Sequence, residues 1–112
     1  ACSPYKFFGP HSGVLFGRRA LLTSLPVDRL DCQDDGLPSD GNCHMSRWEL
    51  GTQNYEALAG VTAAVNYLAG VGIRFGGADA AAARSEHLEA AWRAIEAHER
   101  ELKIRFLEGA VR

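Results

Sequence analysis

Two runs with helical periodicity, separated by a cluster of glycines, constrain this chain more than any other feature. Between residues 54 and 70, Leu58, Val61, Thr62, Val65 and Leu68 recur at the i, i+3, i+4, i+7 spacing of one buried helical face. Ala59, Gly60, Ala63 and Ala64 lie between them, and such small residues keep a helix thin and let a neighbour pack closely. The glycines from Gly70 to Gly77 are expected to end this helix and form a linker. A second, longer helix is expected over residues 80–109. Leu88, Trp92, Ile95, Leu102 and Phe106 lie along one side of it, and Glu86, Glu89, Arg93, Glu96, Arg100 and Lys103 lie mostly on the other, at ion-pair spacing. Gly109 is its expected stop. The fold class that follows is mainly α.

Upstream, the signals are shorter. Val14, Leu15 and Phe16 form an apolar run between glycines, which reads as a buried strand over residues 13–16. Residues 18–25 suit a short helix with Ala20, Leu21, Leu22 and Leu25 on its apolar side, ended by Pro26. Residues 27–47 carry Pro38, Gly36, Gly41 and many Asp, Asn and Ser residues. That is loop chemistry, and a loop of this length inside a compact domain is often functional. The organisation expected is one partial domain: a segment over 1–26 with strand and short helix, a loop over 27–53, a small-residue helix over 54–70, and a long helix over 80–109.

The chain has 112 residues and a net charge of −2, with its basic residues scattered. Nothing in that balance suggests nucleic acid or an anionic membrane as partner. Cys2, Cys32 and Cys43 are odd in number and irregular in spacing, which reads as free thiols in a reducing, cytoplasmic setting. Cys32, Cys43 and His44 could be imagined around a metal, but there is no paired-ligand spacing. Asp31, Asp34, Asp35 and Asp40 form an acidic cluster without fixed cation-loop spacing, and read as a solvated loop. No window of about eighteen apolar residues is expected, and so no membrane span.

Lys6 raises the chemical question. It sits among Tyr5, Phe7 and Phe8, ahead of a Gly9-Pro10 turn. A lysine at such a place commonly lays its stem on apolar surface and keeps its amine in water. The sharper reading is a desolvated amine kept partly neutral, able to attack a carbonyl and form a Schiff base. Pyridoxal phosphate is the cofactor most associated with that chemistry. It needs an anion cradle: Ser3 offers a hydroxyl three residues before the lysine, and Gly51-Thr52 offers an unobstructed N–H and a second hydroxyl just before a helix start. A Thr or Asn at that place also serves as a plain helix cap. His11, after Gly9-Pro10, could face such a cofactor, though a structural turn histidine is the expected reading; His44, His87 and His98 have no evident convergent partners.

Together the segments are familiar. "SPYKFFGPHSGVLFGR", residues 3–18, resembles the lysine segment of class V aminotransferase-like enzymes, in particular their cysteine desulfurase-like branch. "RWELGTQNYEALAGVTAAVNYLAGVG", residues 47–72, is similar to that family's second signature, an E-x-G-T-x-N core followed by a small-residue helix. The resemblance implies that Lys6 is the Schiff-base lysine, that Ser3 binds the cofactor phosphate, and that Tyr5 stands where many relatives have a phosphate-touching histidine. It implies phosphate contacts from Gly51 and Thr52 to the cofactor of a neighbouring subunit, hence a homodimer acting on an amino-acid substrate. The fold it implies is part of the large α/β domain of a fold type I pyridoxal-phosphate enzyme.

The family's ring-stacking aromatic and pyridine-pairing acid lie upstream of the lysine, and its nucleophilic cysteine lies in a C-terminal domain. Neither region has a counterpart among these residues, and the chain starts at Ala1 instead of a methionine. The expectation is a central fragment of such an enzyme, inactive by itself. The alternative expectation is a non-catalytic helical module that persists by self-association.

Overall fold

The computed structural model describes residues 1–28, 31, 47–49 and 51–110. Over these residues the chain is mainly helical, as its periodicity predicts. A 3-10 turn, Pro4–Phe7, is followed by α1 (Arg19–Ser24), α2 (Tyr55–Phe75) and α3 (Arg84–Ala110). Most of the expected loop, with Cys32, Cys43, His44, Asp34, Asp35 and Asp40, lies outside the described residues.

The centre of the molecule is the pairing of α2 with α3. Asn54 starts α2: its Oδ1 accepts the backbone N–H of Ala57 at 3.0 Å, which satisfies one of the orphan donors of the first turn. Of the glycines expected to end this helix, only Gly76 and Gly77 do so. Gly70 and Gly72 lie within it, and it runs on to Phe75, because tertiary packing outweighs the roughly 1 kcal/mol that an interior glycine costs. Gly77, with φ +71°, provides the left-handed stop. The connection is a tight turn, not a loose linker. The Asp79 side chain accepts from Ala81 N at 2.9 Å, and its carbonyl accepts from Ala82 N at 2.9 Å. The long helix starts at Arg84, four residues after the expected Ala80. Glu86 reaches back to the Ala83 N–H at 3.4 Å, half of a capping box.

The buried face of α2 is rotated from the one its larger apolar residues suggest. Ala57, Ala64, Leu68, Ala69 and Gly72 are buried, whereas Leu58 and Thr62 are exposed. On α3, His87, Ala90 and Ala91 are buried and Trp92, Leu102 and Phe106 are exposed. The cause is close approach. A Cβ placed on Gly72 would lie 1.8 Å from the His87 carbonyl oxygen, and one on Gly76 would lie 2.5 Å from that of Ala90. Two helices meeting backbone to backbone bury small residues at the seam and push large ones to the flanks. Three exposed i, i+4 pairs, Glu89–Arg93 (3.9 Å), Glu96–Arg100 (3.5 Å) and Glu101–Arg105, support α3. Each contributes about 0.3–0.5 kcal/mol.

No strand forms at residues 13–16. Val14 makes a single antiparallel bridge with Cys2, while Leu15 and Phe16 are exposed, Phe16 to 84%. With no second strand among the described residues to extend the pairing, the apolar run has no sheet there to enter. α2 also corrects the view that no segment could span a bilayer: by length and composition alone it is long and apolar enough. A core helix passes the same test, and α3 lies along this one, so the property assigns no location.

Candidate functional site

The lysine segment folds into a closed loop. Cys2 N donates to the Val14 carbonyl at 2.9 Å, and Val14 N to the Cys2 carbonyl at 3.0 Å. Inside that clasp, Pro4 is fully buried and starts the 3-10 turn, as its fixed φ favours. Phe8 ends the turn in a left-handed conformation, φ 66°, and the Gly9 N–H closes on the Pro4 carbonyl at 2.9 Å. A Cβ on Gly9 would sit 2.8 Å from that of Pro4, so glycine is required where the chain doubles back. Two contacts seat the loop on α2: the Pro10 ring lies against Gly60, 3.1 Å from where a Cβ would be, and Phe8 meets Tyr67 edge to face at 5.9 Å.

Ser3 and Lys6 therefore share one turn, tied by a bond from Lys6 N to the Ser3 carbonyl at 3.0 Å. Ser3 is half-buried, while Tyr5 and Lys6 are exposed. The aromatics do not enclose the amine as expected. The turn fans them apart: Phe8 goes to Tyr67, and Tyr5 stacks on His11, with centroids 5.1 Å apart and planes at 28°. The Lys6 Nζ lies 5.9 Å from the Tyr5 centroid, within cation–π reach. An amine and a hydroxyl three residues apart on one accessible turn fit part of what pyridoxal phosphate requires: a nucleophile for its aldehyde and a donor for its phosphate.

The second motif is anchored to α1. The Trp48 indole Nε1 donates to the Leu22 carbonyl at 3.3 Å, and the Arg47 guanidinium to that of Leu25 at 2.6 Å. Both acceptors lie at the C-terminal end of α1, where helical carbonyls lack internal partners. Leu22 packs back on Gly17, where a Cβ would stand 2.6 Å from its side chain. These links bring the motif segments together. Ser12, Gly13 and Leu15 of the first and Trp48, Glu49, Gln53 and Asn54 of the second line one cavity of about 440 Å³.

Gly51 and Thr52 are exposed on the approach to α2. Asn54, not Thr52, caps that helix, so the Thr52 hydroxyl is not committed to the cap. A Cβ on Gly51 would meet nothing within 4 Å, and its φ is not left-handed. Among the described residues, then, neither contact nor backbone conformation calls for glycine there.

His87, which the sequence leaves without a partner, is buried and donates from Nε2 to the Asp79 carbonyl at 2.8 Å. It holds the turn between α2 and α3. His98 lines a separate apolar cavity of about 480 Å³ with Phe8, Val71, Phe75 and Ile95. Among the described residues no group of His, Cys, Asp and Glu could hold a metal ion. The Tyr5–His11 stack and the Arg47 and Trp48 anchors escaped sequence reasoning, since each joins positions whose spacing follows no helical or strand period. No protein-family model and no solved structure matches the chain.

Proposed function

We propose that this chain is the lysine-bearing central segment of a pyridoxal-phosphate enzyme of the cysteine desulfurase-like, class V aminotransferase-like type, and that it works as a dimer. The observation that carries the reading is the convergence of the two motif segments on one cavity, joined through α1. Residues 3–18 and 47–72, which resemble separate signatures of one family, meet there through Ser12, Gly13 and Leu15 on one side and Trp48, Glu49, Gln53 and Asn54 on the other, while Ser3, Tyr5, Lys6, Gly51 and Thr52 lie outside the cavity lining. The free space around Gly51 among the described residues adds to this, because a glycine there suits a close approach by another group.

In that role Lys6 supplies the amine, and Ser3, with Tyr5 beside it, supplies donors to the phosphate. Gly51 and Thr52 present an N–H and a hydroxyl toward a second subunit. The cofactor, when bound, provides the aldehyde and the electron-withdrawing ring. The groups that would stack on the ring and pair with its nitrogen have no counterpart here, so binding by this chain alone is weak, since half a preorganised site loses most of the affinity. The test is to incubate the chain with pyridoxal phosphate, reduce with borohydride and map the modified lysine by mass spectrometry. Lys6 and Lys103 are the chain's two lysines, so each controls for the other. The expected result is substoichiometric modification with Lys6 ahead of Lys103. Preferential modification of Lys103 overturns the assignment.

A second reading, a non-catalytic module that self-associates, is favoured by the surface. Phe8, Phe16, Phe75 and Phe106 are exposed to 63%, 84%, 74% and 74%, and apolar surface of that kind is commonly covered by a partner. The same surface suits the dimer of the first reading.

A further inference from the structure

We propose that His11 is a positioning residue for the Lys6 amine, acting through Tyr5. The inference rests on the reading of Lys6 as the imine-forming lysine, and it adds a residue to which the family resemblance gives no role. The loop is built so that His11 reaches the start of its own turn. Phe8 in the left-handed region and Gly9 against Pro4 reverse the chain. Pro10 seats on Gly60, and the Pro10 carbonyl accepts the Ser12 N–H at 2.9 Å. The imidazole is thereby delivered onto Tyr5, 5.1 Å between centroids and 28° from parallel.

Tyr5 is 49% exposed, and no hydrogen bond within the described residues fixes its hydroxyl. The stack on His11 is what orients its face. That face in turn carries the Lys6 Nζ at 5.9 Å. A free lysine spreads its amine over many rotamers, and holding it in one costs side-chain entropy. A ring held by His11 supplies that restraint in advance, and keeps the amine on the same turn as the Ser3 hydroxyl. A turn histidine with no such role would not need to stack on the one ring that touches the lysine.

The experiment follows the amine itself. Both lysines of the 112-residue chain are dimethylated reductively with ¹³C-formaldehyde, which keeps their charge, and the methyl signals are recorded by NMR. In the wild-type chain the Lys6 methyls are displaced upfield of those on Lys103 by the Tyr5 ring, and Tyr5→Ala abolishes the displacement. His11→Ala collapses the Lys6 signal onto the Lys103 position. His11→Phe, which keeps a stacking ring and guards against a mere folding defect, retains the displacement. Absence of the displacement in the wild type, or its persistence in His11→Ala, overturns the proposal.

A second arm reads pyridoxal-phosphate labelling of unmethylated chains. His11→Ala lowers the Lys6-to-Lys103 ratio by about two- to fivefold, the weight of one exposed cation–π contact. Equal labelling of both lysines in a wild type that keeps the NMR displacement supports the positioning and removes the cofactor reading. Wild-type selectivity that His11→Ala leaves unchanged does the reverse.

Discussion

Gly72 and Gly70 differ by two positions on one helix and by everything in their surroundings. A Cβ on Gly72 would lie 1.8 Å from the His87 carbonyl oxygen, whereas one on Gly70 meets nothing within 4 Å. Gly72→Ala must force the two backbones apart, and the expected cost is about 3 kcal/mol, the upper part of the overpacking range. Gly70→Ala removes only a poor helix former, and a gain of about 0.5–1 kcal/mol is expected. Urea denaturation followed by circular dichroism reads both, and equal effects at the two sites would show that the seam is looser than its geometry. At the same scale, Lys6→Ala in a complete enzyme built around this segment should remove nearly all activity and the borohydride-trapped adduct at this position, because the nucleophile has no substitute. Retention of the adduct would exclude Lys6 as its bearer.

At the scale of elements, the Asn54 cap and the unequal lengths of the two long helices give the sharpest expectations. Asn54→Ala strips the Ala57 N–H of its acceptor and should lower stability by about 1 kcal/mol, measured as a shift in the urea midpoint at constant slope. α3 has 27 residues and α2 has 21, about 40 Å against 31 Å, and every described residue of α3 from Glu96 onward is exposed. Amide exchange should therefore be slow at Leu68–Gly72 and His87–Ala91 and fast over the last turns of α3. Uniform protection along α3 would mean that another surface covers it. These elements were the most legible part of the sequence. Periodicity gave both long helices and the short α1. It misplaced the buried face because it counted Leu58, Thr62 and Trp92 as core, when the close crossing selects Ala64, Gly72, Ala90 and Ala91. The glycines were read as breakers, though in a packed seam they are what permits the helix pair. The strand at residues 13–16 was invisible as an error, since its burial depended on a partner strand that no local pattern reports. For the site, the roles of Lys6, Ser3, Tyr5, Gly51 and Thr52 rest on resemblance alone, while the His11–Tyr5 stack and the Arg47 and Trp48 anchors follow from the way the loops double back.

For the whole molecule, the surface decides the state of assembly. Phe8, Leu15, Phe16, Tyr67, Phe75, Phe106 and Leu107 are each more than half exposed, and apolar side chains in such number on a surface are commonly covered by a partner. Light scattering should report a dimer or larger species at micromolar concentration, and a stable monomer at high concentration would count against it. The loop that carries Lys6 has a different kind of economy. Its clasp is made by main-chain groups alone, Cys2 and Val14 exchanging N–H and carbonyl. Their side chains take no part in those bonds, and both residues are exposed. These two positions should thus be the freest in the segment to vary, open to nearly every amino acid. Proline is the exception at both, because it alone cannot donate.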